Sequence, residues 1–225
     1  MKRISSAIAV ALASTAAAAS AAPITSGHMD LDIDYSGGAS GALTLTWRTY
    51  NPMSAPTPTN DDNYPIAGNS VIVPLANAFT VSSAASFACL GAAGSTMYRL
   101  KQSQDVTQVW LGYNTQNVAA GQFVGDKVAL QLVSVVAAPP GGRFVLYTTN
   151  AFGTPTYLLN TTAGACNVSS FPGGGISVNI HNHAWWAFSA PGTYTLRFAA
   201  SGTLTPANGG GAKSTGNVDV TFTVQ

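Results

Sequence analysis

The chain has only three histidines, His28, His181 and His183, and two of them are spaced i, i+2 in Asn179-Ile180-His181-Asn182-His183-Ala184-Trp185-Trp186. On a strand that spacing puts both imidazoles on one face, with Cα atoms about 6.5–7 Å apart, close enough to converge on one cation. His28 opens an alternating segment in which Asp30 follows on the same face. Three imidazoles suit zinc and also copper, and the Asp30 carboxylate or a water would complete a tetrahedron. Whether His28 meets the late pair is a question of strand order, on which spacing is silent.

Other groups with chemical potential are weaker candidates. Asp30, Asp32 and Asp34 alternate on one strand face, an arrangement expected of a solvated face; they lack the glycine-bearing loop of an EF-hand calcium site. Trp185 and Trp186 point to opposite faces of their strand, so one belongs to the core and the other is a possible platform for a ligand such as a sugar, with Tyr64 and Tyr113. Met29, Met53 and Met97 show no clustered spacing as soft copper ligands and are read as packing residues. There is no GxSxG, Walker loop, HExxH or GxGxxG pattern, so catalysis has no positive support. A metalloenzyme would need Asp30 as its base, because all eight acids are Asp and there is no Glu.

The elements that must position these groups read as strands. Met29, Leu31, Ile33 and Tyr35 alternate with His28, Asp30, Asp32 and Asp34; Gly37-Gly38 turns the chain; Leu43, Leu45 and Trp47 alternate with Thr44, Thr46 and Arg48. A Pro-, Asn- and Asp-rich loop is expected over 51–68. Further strands are expected over 71–73, 79–81, 97–100, 106–111, 128–136, 143–148, 157–159, 176–181, 193–199 and 218–224. The missing Glu argues against helices, since Asp favours turns and caps. The expected fold is all-β: a two-sheet antiparallel β-sandwich, immunoglobulin-like or jelly-roll-like, of about ten to twelve strands.

The amino terminus carries Lys2 and Arg3, an apolar Ala-rich stretch, then Ala19-Ser20-Ala21, the pattern of a signal peptide over 1–21 that leaves one sandwich domain over 22–225. Export to the periplasm or the cell exterior favours a disulfide between Cys89 and Cys166. No other stretch is long and apolar enough for a membrane span, and no sorting tail is seen at the carboxyl end. Lys2 and Arg3 belong to the leader, so the rest of the chain holds one more acid than base and lacks the basic patch of a nucleic-acid binder.

Several segments resemble, in order, the bacterial choice-of-anchor M domain, a surface-anchored family found beside zinc- or manganese-type ABC transporters. They are Thr25-Ser26-Gly27-His28-Met29-Asp30, Leu90-Gly91-Ala92-Ala93-Gly94, Leu100-Lys101-Gln102-Ser103-Gln104 and Trp110-Leu111-Gly112-Tyr113-Asn114-Thr115. Later come Gly142-Arg143-Phe144-Val145-Leu146-Tyr147, Phe152-Gly153-Thr154-Pro155 and His181-Asn182-His183-Ala184-Trp185-Trp186 running to Pro191-Gly192-Thr193-Tyr194. The resemblance implies that His28, His181 and His183 occupy the family's recurrent histidine positions, and it links the chain to metal handling. The chain departs from the pattern in lacking an anchor and in having Trp186 where Asn is expected. Together these point to an exported protein that binds zinc, or copper or manganese, for capture or delivery to a metal ABC transporter component. A glycan-binding or adhesive surface module is the alternative.

Overall fold

A computed structural model of the chain describes residues 22–50 and 63–225. The expected signal peptide over 1–21, Met53 and most of the expected loop over 51–68 lie outside the described residues. In chain order the strands are β1 (Ala22–Ile24), β2 (Gly27–Tyr35), β3 (Leu43–Tyr50), β4 (Asn63–Tyr64), β5 (Asn69–Val73) and β6 (Ala78–Thr80). They continue with β7 (Thr96–Leu100), β8 (Val109–Asn114), β9 (Lys127–Ala137), β10 (Phe144–Thr149), β11 (Pro155–Asn160) and β12 (Ile176–Ser177). The last are β13 (His181–His183), β14 (Trp185–Phe188), β15 (Gly192–Thr203), β16 (Ala212–Ser214) and β17 (Val218–Val224). Among the described residues the only helical segments are single 3-10 turns.

The strands form an all-β, sandwich-like fold from three hydrogen-bonded sheets. The first has the order β1-β5-β17-β15-β9-β12 with β16 beside β15, the second β11-β10-β14-β7-β6, and the third β13-β8-β2-β3-β4. Most pairs are antiparallel, but β1–β5, β5–β17 and β2–β8 are parallel. Phe222 on β17 joins the layers: its ring lies 6.5 Å from Trp47 of the third sheet and 5.6 Å and 5.1 Å from Trp186 and Phe188 of the second. All four side chains are fully buried, each contributing roughly 1.5–3 kcal/mol or more of apolar burial.

The β2–β3 hairpin follows from the alternation. Met29, Leu31, Ile33 and Tyr35 face the core opposite Leu43, Leu45 and Trp47, and positive φ at Gly37 (85°) and Gly38 (66°) lets the chain reverse. One expected strand is divided. Instead of running through 176–181, the chain leaves β12, which pairs with β9, and turns at Asn179 (φ 55°) before β13 joins β8. Asn is among the few residues that enter this left-handed region at low cost. The strand expected from 106 starts at Val109, because Asp105 Oδ1 accepts the Thr107 N–H at 2.9 Å and holds 105–108 in a turn.

Cys89 and Cys166 form a disulfide with Cα atoms 5.3 Å apart. Its anchorage is the buried Asn160, whose Nδ2 donates to Cys89 O at 3.0 Å. No helix among the described residues is long and apolar enough to cross a membrane.

Candidate metal centre

Three neighbouring strands carry the centre. β2 runs parallel to β8, and β8 runs antiparallel to β13. Asp30 lies opposite Gly112, and Gly112 opposite His183, so these three form one row across the sheet. The next row is Asp32, Asn114 and His181, and on the other side His28 lies opposite Trp110. Alternation places all of them on the sheet face away from the core. Strands two apart are about 10 Å from one another, a gap that side chains from β2 and β13 can close only if the strand between them is bare.

Gly112 supplies that bareness. A Cβ there would lie 2.6 Å from Asn182 O and 3.1 Å from His183 Cε1, and would run into the Asp30 carboxylate. Its φ is not positive, so the glycine serves space and not backbone conformation.

Over Gly112 the ligand atoms converge. His28 Nε2 is 3.2 Å from His181 Nε2 and 3.1 Å from His183 Nε2, and His181 Nε2 is 3.0 Å from Asp30 Oδ2. Ligand atoms of all four residues lie within 4.8 Å of one another, so the cluster could hold a metal ion. In a tetrahedral zinc site with bonds of about 2.0–2.1 Å, neighbouring donors are about 3.3 Å apart. The three separations sit just below that edge length. His28 is 1% exposed and Asp30 0%, so the Asp30 carboxylate is cut off from water, with the His181 imidazole and the Tyr50 phenol as polar neighbours.

Aromatic rings wall the site. Trp110 stacks on His183 with centroids 3.8 Å apart and planes 8° from parallel, while its Nε1 donates to Gln102 O at 2.9 Å. Tyr50, opposite His28 on β3, stacks on His28 at 4.2 Å and on His181 at 5.2 Å. Its phenol oxygen accepts from Asn114 Nδ2 at 2.5 Å. Burial, then the Asp30 charge, hold that phenol protonated well above its usual range. Burial likewise pushes the His183 imidazole down to about 4, outweighing the opposing pull of Asp30, so its ring is neutral and ready to ligate at pH 7.

The Asp row is not the solvated face expected of it. Asp30 and Asp32 are fully buried, Asp30 beneath the histidines and Asp32 beneath Arg48 of β3, whose Nη1 is 3.1 Å from Asp32 Oδ2 and 3.9 Å from Asp34 Oδ1. Burial and the neighbouring Asp34 push the Asp32 carboxyl up to about 8 despite Arg48.

The aromatic platform divides. Trp186 is 0% exposed, with Nε1 donating to Leu111 O at 3.2 Å, and offers no face to a ligand. Trp185 is half-buried, and the Arg99 guanidinium covers its ring at 3.9 Å. Tyr113 is buried and edge-on to Phe171. Met29 and Met97 are buried core residues.

Sequence reasoning missed Gly112, Trp110, Tyr50 and Asn114. Trp110, Gly112 and Asn114 are spaced i, i+2, i+4, which marks a shared face, but no local signal says that their strand lies between the histidine strands. Comparison with protein-family models, with curated proteins and with solved structures finds no match to the chain.

Proposed function

We propose that the protein is an exported zinc-binding protein that captures the ion outside the cytoplasm and delivers it to an uptake system. The observation that carries this reading is the meeting of His28, His181 and His183 Nε2 atoms and the Asp30 carboxylate, all within 4.8 Å and with three contacts at 3.0–3.2 Å, on a face largely walled from solvent. Three neutral imidazoles and one carboxylate form a borderline donor set that suits a tetrahedral zinc ion. Manganese prefers oxygen-rich octahedral sites, and copper(I) prefers thiolate or thioether sulfur, so both fit this set less well; copper(II) is the nearest competitor. Four protein ligands fill a zinc tetrahedron, which favours holding the ion over using an open position for hydrolysis.

Export draws its support from the leader pattern over 1–21 and from the disulfide, which belongs to an oxidising compartment. Delivery to a metal ABC transporter component rests on the resemblance to the choice-of-anchor M domain.

Elemental analysis of protein purified without a metal-affinity column tests the binding. One zinc per chain is expected, lost in the His181→Ala/His183→Ala variant. Substoichiometric zinc, together with a melting temperature that added zinc leaves unchanged, refutes the reading. A full-length chain that retains Met1 and stays in the cytoplasm of its own host refutes export.

A further inference from the structure

We propose that strand β13 is the gate of this metal site and that Thr115, which touches no ion, is the positioning residue that latches it. The inference rests on the zinc reading above and adds how the ion enters and leaves.

The two halves of the site are held unequally. β2, with His28 and Asp30, is paired along nearly its whole length with β3 and over Gly27–Asp32 with β8. β13, with His181 and His183, is three residues long and, among the described residues, pairs with β8 alone at the end of its sheet. Exposure follows the same division: His28 and Asp30 are at 1% and 0%, whereas the His181 side chain keeps 11%. An ion coming from solvent meets β13 first, and β13 is the half that can move.

Both ends of β13 are fixed. Beyond it, Ala184 is buried and Trp186 sits in the core. Before it, Thr115 ties down the segment that turns at Asn179. The Thr115 N–H donates to Ile180 O at 2.8 Å, and Thr115 O accepts from the Asn179 N–H at 2.9 Å. The Thr115 hydroxyl donates to Ser177 O at 2.8 Å and accepts the Ile180 N–H at 3.2 Å. This buried threonine, one residue past β8, therefore bonds to Ser177 at the end of β12 and to Asn179 and Ile180, two of the three residues between β12 and β13.

The donor chemistry gives the gate its bias. His28 Nε2 carries at most one hydrogen, so it cannot donate both to His181 Nε2 and to His183 Nε2. Whichever tautomer each ring takes, a single hydrogen or a single lone pair on His28 Nε2 cannot form two linear hydrogen bonds to neighbours at 3.1–3.2 Å. A divalent ion at their focus takes the nitrogens as ligands together and holds β13 against β8. In the metal-free protein β13 relaxes outward while β2 stays, and the Thr115 bonds set how far and how fast.

Hydrogen exchange on metal-free and zinc-loaded wild-type protein reads the gate directly. Amides of 181–183 are expected to exchange at least tenfold more slowly with zinc, while those of 29–34 change by less than threefold. Chelator-driven zinc release reads the latch. Thr115→Val, which keeps the shape and removes the hydroxyl, is expected to release zinc about tenfold faster at unchanged one-to-one stoichiometry. Thr115→Ser, which keeps the hydroxyl, is expected to stay within twofold of wild type.

Equal protection of 181–183 with and without zinc overturns the gate and leaves a one-to-one zinc site standing. An unchanged release rate in Thr115→Val overturns the latch. Failure of wild-type protein to bind zinc overturns the reading beneath both. Should Thr115→Val not fold, the wild-type exchange comparison decides the gate and Thr115→Ser against Thr115→Ala decides the latch.

Discussion

Gly112→Ala should separate the metal site from the rest of the fold. In an ordinary strand with negative φ, replacing glycine by alanine stabilises a protein by about 0.4–1 kcal/mol, because the unfolded chain loses freedom. At Gly112 the added methyl meets Asn182 O at 2.6 Å, His183 Cε1 at 3.1 Å and the Asp30 carboxylate. None of these is the free end of a flexible chain: one is backbone, one the buried Asp30 carboxylate and one the half-buried His183 ring stacked on Trp110. Overpacking of this kind costs about 1–3 kcal/mol, enough to reverse the sign of the propensity gain. Relief requires β13 or Asp30 to shift by a few tenths of an ångström or more, which spoils a donor set spaced at 3.0–3.2 Å. Zinc affinity should then fall by at least the 10–100-fold typical of disturbed metal-site support. The assay is zinc competition against a chromophoric chelator, with thermal melts of the metal-free and zinc-loaded forms. At a hundredfold excess over Kd, zinc should stabilise the wild type by about 2.7 kcal/mol, and the variant's zinc-induced shift should shrink towards zero. A Gly112→Ala protein that binds zinc with wild-type affinity refutes the account of why this position is bare.

Three further outcomes are expected. Replacing Cys89 and Cys166 by Ala, which frees a loop of 77 residues' separation, should cost on the order of 4 kcal/mol in urea melts yet leave zinc stoichiometry at one, since neither sulfur belongs to the cluster; loss of zinc refutes that independence. Burial lowers His183 from 6.5 to about 4, so the unfolded chain takes that proton more readily than the folded one. Its share of metal-free stability is full above about pH 6.5 and is lost as pH falls towards 4, by roughly 3 kcal/mol at most; a His183→Gln variant with the same pH slope in urea melts refutes the assignment. Because Trp110 stacks on His183 at 3.8 Å, copper(II) at the site should quench its emission, and Trp110→Phe should remove most of the quench; undiminished quenching in that variant places the ion elsewhere.

Much of the candidate site was legible before any fold was known. The His181-Asn182-His183 spacing needs only a strand to put both rings on one face, and the alternation from His28 to Tyr35 assigns Asp30 to the histidine side whatever the strand's neighbours are. The Cys89–Cys166 pairing followed from there being two cysteines in a chain that opens with the pattern of an export leader. Burial of the Asp row was not legible, since alternation marks a face without saying what lies across it, and Arg48 reaches Asp32 only through the hairpin register. Nor was the break at Asn179: a run such as Ile176–His181 is compatible with one strand, and only pairing to two different sheets forces the turn.

The residue types and local periods of this chain thus determined which side chains were able to coordinate an ion and which face each would share. Tertiary structure alone decided that they meet, because strand order is set by how the sheets bury their apolar faces together, a property of the whole core around residues such as Phe222 and Trp47. Inserting β8 in parallel beside β2 and antiparallel to β13 brought an unremarked glycine between the two strands that carry the ligands. The absence of a side chain at that crossing is what lets groups from strands about 10 Å apart touch.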